Sequence, residues 1–102
     1  MATPEQVFEA LHPVIEPELG LPVLDLGLVY AIDLNEAGDD VTVIMTLTSP
    51  MCPIAPYLME LMRQAALTAP GITAAKVELA WDPPWDPYTM ATEEARMDLG
   101  LA

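Results

Sequence analysis

Residues 41–48 read VTVIMTLT, a run in which apolar and polar side chains alternate. The threonines at 42, 46 and 48 fall on one face, and the apolar side chains fall on the other, at Val41, Val43, Met45 and Leu47. A period of two is typical of a β-strand with one buried face. This strand anchors the predicted fold, and the other elements are placed around it.

The segment before this strand is predicted to pair with it. Residues 28–34 also alternate, with Leu28, Tyr30, Ile32 and Leu34 on one face, and residues 35–40 combine Gly38 with three acids. This pattern favours an antiparallel hairpin. Further upstream, Thr3, Pro4 and Gln6 have the spacing of a capped first helix. Residues 14–27 are rich in proline and glycine, and we predict a loop there.

The segment after the strand is predicted to cross over to a third strand. Pro53 is predicted as the first residue of a second helix, with Cys52 at or beside its cap and an apolar stripe behind it. Val77, Leu79 and Trp81 share one face of the third strand, which a right-handed crossover makes parallel to the second. Residues 82–87 hold three prolines and are predicted to be irregular, and a short helix follows over residues 92–99.

The element order is therefore helix, strand, strand, helix, strand, short helix. It predicts an α+β fold, a two-layer sandwich in which a small three-stranded mixed sheet carries helices on one face. The length of 102 residues fits a single domain over residues 1–102.

Charge is the strongest global property of the chain. Sixteen acidic residues face three basic ones, which gives a formal net charge of −13. Such a surface repels phosphate, so we expect no nucleic acid and no anionic membrane as a partner, and a basic protein surface or a cation fits better. No apolar run reaches the ~18 residues of a membrane span, and the N-terminus lacks the features of a signal peptide. These observations favour a cytoplasmic protein.

Cys52 is the only cysteine of the chain, which excludes an internal disulfide. At a helix N-terminus its thiolate would be stabilised by the helix dipole, with Thr48 and Ser49 offering hydroxyl hydrogen bonds. A thiolate attacks electrophiles and binds soft metals. One thiolate supplies only one metal ligand, so a second copy, a partner or a small thiol would have to supply the rest. The alternative is a buried cysteine that only fills space.

Four motifs occur in order along the chain, namely EPELG at 16–20, DLGLVY at 25–30, TLTSPMCP at 46–53 and WDPPW at 81–85. Together they resemble the SufT/PaaD-like family of iron–sulfur cluster assembly proteins, over roughly residues 7–101. The resemblance implies a small α+β domain, a reactive cysteine at Cys52 and an acidic loop at residues 16–18. Two positions depart from the family pattern, because Glu16 stands for an aspartate and Met51 for a glycine. The chain also lacks the cysteine-rich tail of PaaD-type members, which favours a SufT-like role.

The remaining candidate residues each have two interpretations. Glu16 and Glu18 form either a carboxylate pair near the thiol, which a partner could contact, or a solvated loop. Asp25 either caps a turn or takes part in the site. Trp81 and Trp85 either cover the edge of the core or present an aromatic contact to a partner.

We expect an iron–sulfur cluster assembly or transfer factor that acts through Cys52 and is not an enzyme. The expected cargo is a transient iron–sulfur cluster or iron, with no tightly bound cofactor. The expected partners are the iron–sulfur assembly machinery and client apo-proteins, and a homodimer would double the available thiolates. Two alternatives stay open: an adaptor that docks to assembly or phenylacetate-oxygenase-type components without binding metal, and a thiol enzyme. His12, the only histidine, is not placed near Cys52 by any local pattern.

Overall fold

A computed structural model of the chain describes residues 2–49 and 53–101. Within these ranges the longest helix has 12 residues, and no helix is long and apolar enough to cross a membrane. The elements follow in the order α1 Pro4–Ala10, β1 Ile15–Glu16, β2 Leu21–Pro22, α2 Val23–Leu26, β3 Val29–Leu34, β4 Asp40–Met45, α3 Ala55–Ala66, β5 Ala74–Leu79, α4 Pro87–Met90 and α5 Glu93–Asp98.

The central sheet has the strand order β3-β4-β5. β3 pairs with β4 antiparallel, and β4 pairs with β5 parallel through the crossover helix α3, as the sequence predicts. The predicted alternation is confirmed over residues 41–45, because Val41, Val43 and Met45 are fully buried, but the strand ends at Met45 and not at Thr48 as predicted. The helices α1 and α3 join the same core through Val7, Leu58 and Met62. The predicted α+β fold with a small mixed sheet is confirmed.

The hairpin turn between β3 and β4 follows from its own side chains. The Asn35 carboxamide oxygen accepts hydrogen bonds from the backbone N–H groups of Asp39 and Asp40, at 3.0 and 3.1 Å. Gly38 takes a φ of +71°, a left-handed conformation that glycine adopts without a steric cost. Residues 35–40 therefore close the two strands into the predicted hairpin.

The predicted face of β3 is wrong at Tyr30. Tyr30 and Ala31 together oppose Ile44, so a β-bulge interrupts the alternation. Ile32 and Leu34 keep the core face opposite Val43 and Val41, whereas the Tyr30 side chain reaches the segment after β5.

The predicted loop over residues 14–27 is also wrong, since it contains a second, two-stranded sheet and a one-turn helix. β1 and β2 pair antiparallel, and Val23 N–H donates to the Val14 carbonyl at 3.0 Å. α2 then ends at Gly27, which takes a φ of +77°. The strands have two residues each, too few for a periodic pattern in the sequence.

Helix ends agree with the sequence at α1 and α5 and differ at α3. Thr3 and Gln6 form the predicted capping box, and Thr92 caps α5. The predicted start of the second helix at Pro53 is wrong, because α3 begins at Ala55 with Ile54 as its N-cap and Pro56 in the first turn. A proline suits the first turn of a helix at either site, so the sequence alone does not distinguish the two starts.

Candidate functional site

The segment after β4 and the segment after β5 meet in one groove. The two strands are parallel and in register, with Met45 opposite Leu79, so the chain leaves both at the same end of the sheet. β5 ends at Leu79, so the prediction that Trp81 shares a strand face is wrong. Residues 81–85, here called the flap, form one side of the groove. The groove has a volume of about 290 Å³ and is lined by Leu47, Thr48, Trp81, Pro84 and Trp85.

The two tryptophans of the flap have different surroundings. The indole N–H of Trp85 donates to the Leu26 carbonyl at 2.7 Å, and the ring packs against the core. Trp81 is 46% exposed and faces the groove. Trp85 therefore covers the edge of the core, which is the first of the two interpretations. Of the two tryptophans, Trp81 is the one with an exposed ring that a partner could contact.

One further direct contact holds the flap in place, and the neighbouring helix α4 is itself fixed by two contacts. The Tyr30 hydroxyl donates to the Pro83 carbonyl at 2.7 Å, so the bulge in β3 brings an anchor to the flap. Asp86 follows the flap and caps α4 by accepting from Tyr88 N–H at 3.0 Å. α4 in turn packs its Met90 carbonyl against Gly27. The alternation predicted Tyr30 on the same strand face as Ile32 and Leu34, whereas the bulge brings its hydroxyl to the flap, where it is a positioning residue.

Cys52 and its neighbours Pro50 and Met51 lie outside the described residues, so the prediction for the thiol is not tested. The residues that flank this gap are described, and Ser49 is half-buried while Pro53 is exposed. The N-cap of α3 is Ile54, without a side-chain cap hydrogen bond. The helix-dipole argument for Cys52 assumed a helix starting at Pro53 and loses that support.

Glu16 closes its own turn. Its side chain is 1% exposed, and its two carboxylate oxygens accept from the backbone N–H groups of Glu18 and Leu19, at 3.1 and 2.8 Å. The extra methylene relative to the family's aspartate thus does not prevent a capping role. Glu18 lies at the exposed tip of the β1–β2 turn. Of the two carboxylates, Glu18 is the one at the surface.

Asp25 links two helices through its main chain. Its carbonyl accepts from Thr92 N–H, the N-cap of α5, at 2.8 Å. No Asx-type bond from its carboxylate occurs among the hydrogen bonds of residues 2–49 and 53–101. The main chain of Asp25 therefore joins α2 to α5, and the role of its carboxylate in the site stays a prediction.

Thr46 is a buried polar residue that the alternation did not single out. It is fully buried, and its N–H donates to the Leu28 carbonyl at 2.8 Å. Its hydroxyl has no hydrogen-bond partner within the part of the chain that is described. A buried hydroxyl without a partner lowers the stability of the folded state by about 1–3 kcal/mol, and this one lies inside the TLTSPMCP motif.

Each of the three basic side chains is engaged within the chain. Arg63 forms a two-point pair with Glu60, at 2.9 and 2.7 Å, and this pair lowers the pKa of Glu60 to about 2. Lys76 lies 3.8 Å from Glu78, and Arg96 donates to the carbonyls of α4 and its C-cap. A partner therefore meets a surface whose available charges are mostly carboxylates.

No three His, Asp or Glu side chains come together as a possible metal site among the residues that the structure describes. The ligand that the sequence predicts, Cys52, is outside that set. The groove beside Thr48 and the exposed Trp81 are thus the described parts of the candidate site.

Comparison with known proteins places the chain in a family. A family model described as "Iron-sulfur cluster assembly protein" matches residues 4–79. The Fe-S protein maturation auxiliary factor YitW of Bacillus subtilis is 38% identical, over 98% of this chain and 96% of its own length. The auxiliary factor SufT of Staphylococcus aureus is 37% identical, over 87% of this chain and 99% of its own.

A solved structure supports the same conclusion. A conserved hypothetical protein from Thermotoga maritima is 42% identical and superposes with a TM-score of 0.82, covering 96% of this chain and 94% of that one. The predicted resemblance is confirmed: the chain belongs to the iron–sulfur cluster assembly protein family.

Proposed function

We propose that this chain is an auxiliary factor in the maturation of iron–sulfur proteins, in which Cys52 is a transient ligand of iron or of a cluster. Membership of the family supports the general role. The observation that carries the specific proposal is the groove that joins Thr48 to Trp81, because its wall belongs to the same motif as Cys52. A client docked against Trp81 would meet a chain segment that is four residues from the thiol.

The proposed step is ligand exchange. The Cys52 thiolate donates one metal–sulfur bond to the cargo, and a client cysteine forms a new metal–sulfur bond as that bond breaks. The proton released by the client thiol passes to Cys52 or to solvent, and no metal changes its oxidation state. A single protein ligand suits release of the cargo better than storage. Two copies could hold one cluster between them, each with one Cys52.

The first test is anaerobic reconstitution with iron and sulfide, followed by transfer to an apo-ferredoxin. Visible absorption and iron content are compared for wild type, Cys52→Ala and Cys52→Ser. We expect the wild type alone to bind a coloured species and to load the ferredoxin, and the ratio of iron to chain tells whether two copies share it. A Cys52→Ala protein that matures the client as well as the wild type would refute the role of the thiol.

An adaptor that binds no metal is the second candidate, and the exposure of Trp81 supports it. Under this alternative, Trp81→Ala and Glu18→Lys weaken binding to an assembly component or client, while Cys52→Ala does not. Tyr57→Ala is a matched control, because Tyr57 is a 60% exposed aromatic residue outside the groove. Under both candidates the chain is not an enzyme, and turnover of a small substrate by the isolated protein would contradict both.

A further inference from the structure

The outer edge of β3 is open. β3 lies at one end of the three-stranded sheet and pairs with β4 on one side only. Among the described residues, no backbone hydrogen bond joins Val29–Leu34 to a residue outside that pair. An open edge offers a row of N–H and C=O groups to which another extended chain can add.

A groove runs between this edge and the helix α1. It has a volume of about 440 Å³, and its helix side includes Phe8, which is 43% exposed. Its strand side consists of residues 29–32. A strand added to β3 would therefore place alternate side chains against Phe8.

The charge around this groove has one sign. Glu5 and Glu9 line it from the helix, and Asp33 is exposed on the strand. No basic side chain lines the groove, and the three basic residues of the chain are engaged elsewhere. The His12 imidazole Nε2 lies 3.5 Å from the Glu9 carboxylate, just beyond the residues that line the groove.

We propose that the β3 edge and α1 together bind an extended, basic segment of a partner protein by strand addition. The open edge supplies main-chain hydrogen bonds, Phe8 accepts an apolar side chain, and the surrounding carboxylates attract the lysine or arginine side chains of the segment. A second copy of this chain is the less favourable occupant, because pairing two β3 edges would bring Glu5, Glu9 and Asp33 of both copies together.

The bulge at Tyr30 limits the length of the added strand. Regular pairing with β4 resumes at Ala31 and continues to Leu34, so the segment of β3 with a regular edge is four residues long. Bulges and edge charges discourage indiscriminate pairing. The site therefore fits a short basic strand.

The test uses the full-length chain and a synthetic peptide of alternating lysine and valine. NMR of backbone amides follows chemical shifts and hydrogen exchange as peptide is added. We expect slowed exchange of amides within Val29–Leu34 and no binding of a peptide with glutamate in place of lysine.

Two charge-matched double variants separate local from global attraction. Glu5→Lys with Glu9→Lys changes the groove, whereas Glu93→Lys with Glu94→Lys changes the exposed first turn of α5 by the same total charge. We expect the first to weaken peptide binding about tenfold and the second by less than about threefold. Phe8→Ser, with circular dichroism to verify folding, should weaken binding without any change in net charge.

Several outcomes would overturn the proposal. An equal loss of peptide affinity in the two double variants would mean that general charge attraction, and not this groove, binds the peptide. Chemical-shift changes centred on Trp81 would place the peptide in the groove beside the flap. Protection of β3 amides that grows with protein concentration, without peptide, would assign the edge to a second copy.

Discussion

Replacement of Gly27 by alanine tests the packing that holds the flap. Gly27 has a φ of +77°, and a Cβ at this position would lie 2.3 Å from the Met90 carbonyl oxygen and 2.7 Å from its carbon. Both atoms are backbone, so α4 has to move to make room. The substitution therefore combines an unfavourable conformation with a steric clash.

The size of each contribution can be estimated separately. The left-handed conformation costs an alanine about 1–2 kcal/mol, partly offset by about 0.5 kcal/mol because alanine restricts the unfolded chain. A clash that shifts backbone adds about 1–3 kcal/mol. We therefore expect Gly27→Ala to lower the free energy of unfolding by about 2–4 kcal/mol, or roughly 10–25 °C in Tm for a domain of this size.

Gly20→Ala is the matched control. Gly20 has a φ of +70°, and nothing lies within 4 Å of its Cβ position, so only the conformational cost applies. We expect a loss of about 1 kcal/mol for this variant. Thermal unfolding followed by circular dichroism gives both values. Tryptophan fluorescence of the folded Gly27→Ala protein should also change, because Trp85 bonds to Leu26, the residue before Gly27.

Equal losses of stability at Gly27 and Gly20 would refute this reasoning, since they would mean that α4 does not press on Gly27. An unchanged fluorescence spectrum, together with a large loss of stability, would show that the clash is relieved without moving the flap.

Three other predictions follow from single contacts. Glu16→Ala removes two hydrogen bonds to a carboxylate and should lower the free energy of unfolding in urea by about 2–4 kcal/mol. Glu16→Gln should cost about half as much, and equal stability of the two variants would contradict the capping role of the carboxylate. Thr46→Val keeps the shape but removes a buried, unpartnered hydroxyl, so stability should rise by about 1 kcal/mol, whereas a clear loss would mean that the hydroxyl has a partner. The hydrogen bonds from Arg63 lower the pKa of Glu60 to about 2, so the pair's contribution to the free energy of unfolding is complete above about pH 4.5 and is lost as the pH falls toward 2. This contribution should be small and salt-sensitive, because Glu60 is exposed. The stability of Glu60→Gln, measured over the same pH range, should therefore lack this pH-dependent component, and an unchanged pH dependence would contradict the role of the pair.

The main sheet could be predicted from the sequence because its signals are strong and local. The alternation in β4 predicts which face of the strand is buried. The hairpin turn is stabilised by one of its own side chains, that of Asn35, which accepts a hydrogen bond from Asp39 N–H. The crossover rule then gave the parallel partner without any contact information. Each of these inferences depends on a period or a turn that spans several residues.

The errors occurred where single contacts, rather than periodic patterns, determine the structure. The hairpin over residues 15–22 depends on the Glu16 side chain, and the displaced Tyr30 depends on one extra residue in β3. The start of α3 was ambiguous because Pro53 and Pro56 both suit a first turn. Trp81 and Trp85 looked equivalent in the sequence, and only the bond from Trp85 to Leu26 separates their roles.

The contacts that hold the flap join distant parts of the chain. Trp85 bonds to a carbonyl 59 residues earlier, and Tyr30 bonds to a carbonyl 53 residues later. Closing such long loops is slow compared with forming local turns, so the flap should dock after the β3–β4 hairpin has formed. During synthesis, Cys52 also emerges well before Trp81. A growing chain therefore carries its thiol for a time before the groove exists, because the groove is complete only once the flap has been made and folded.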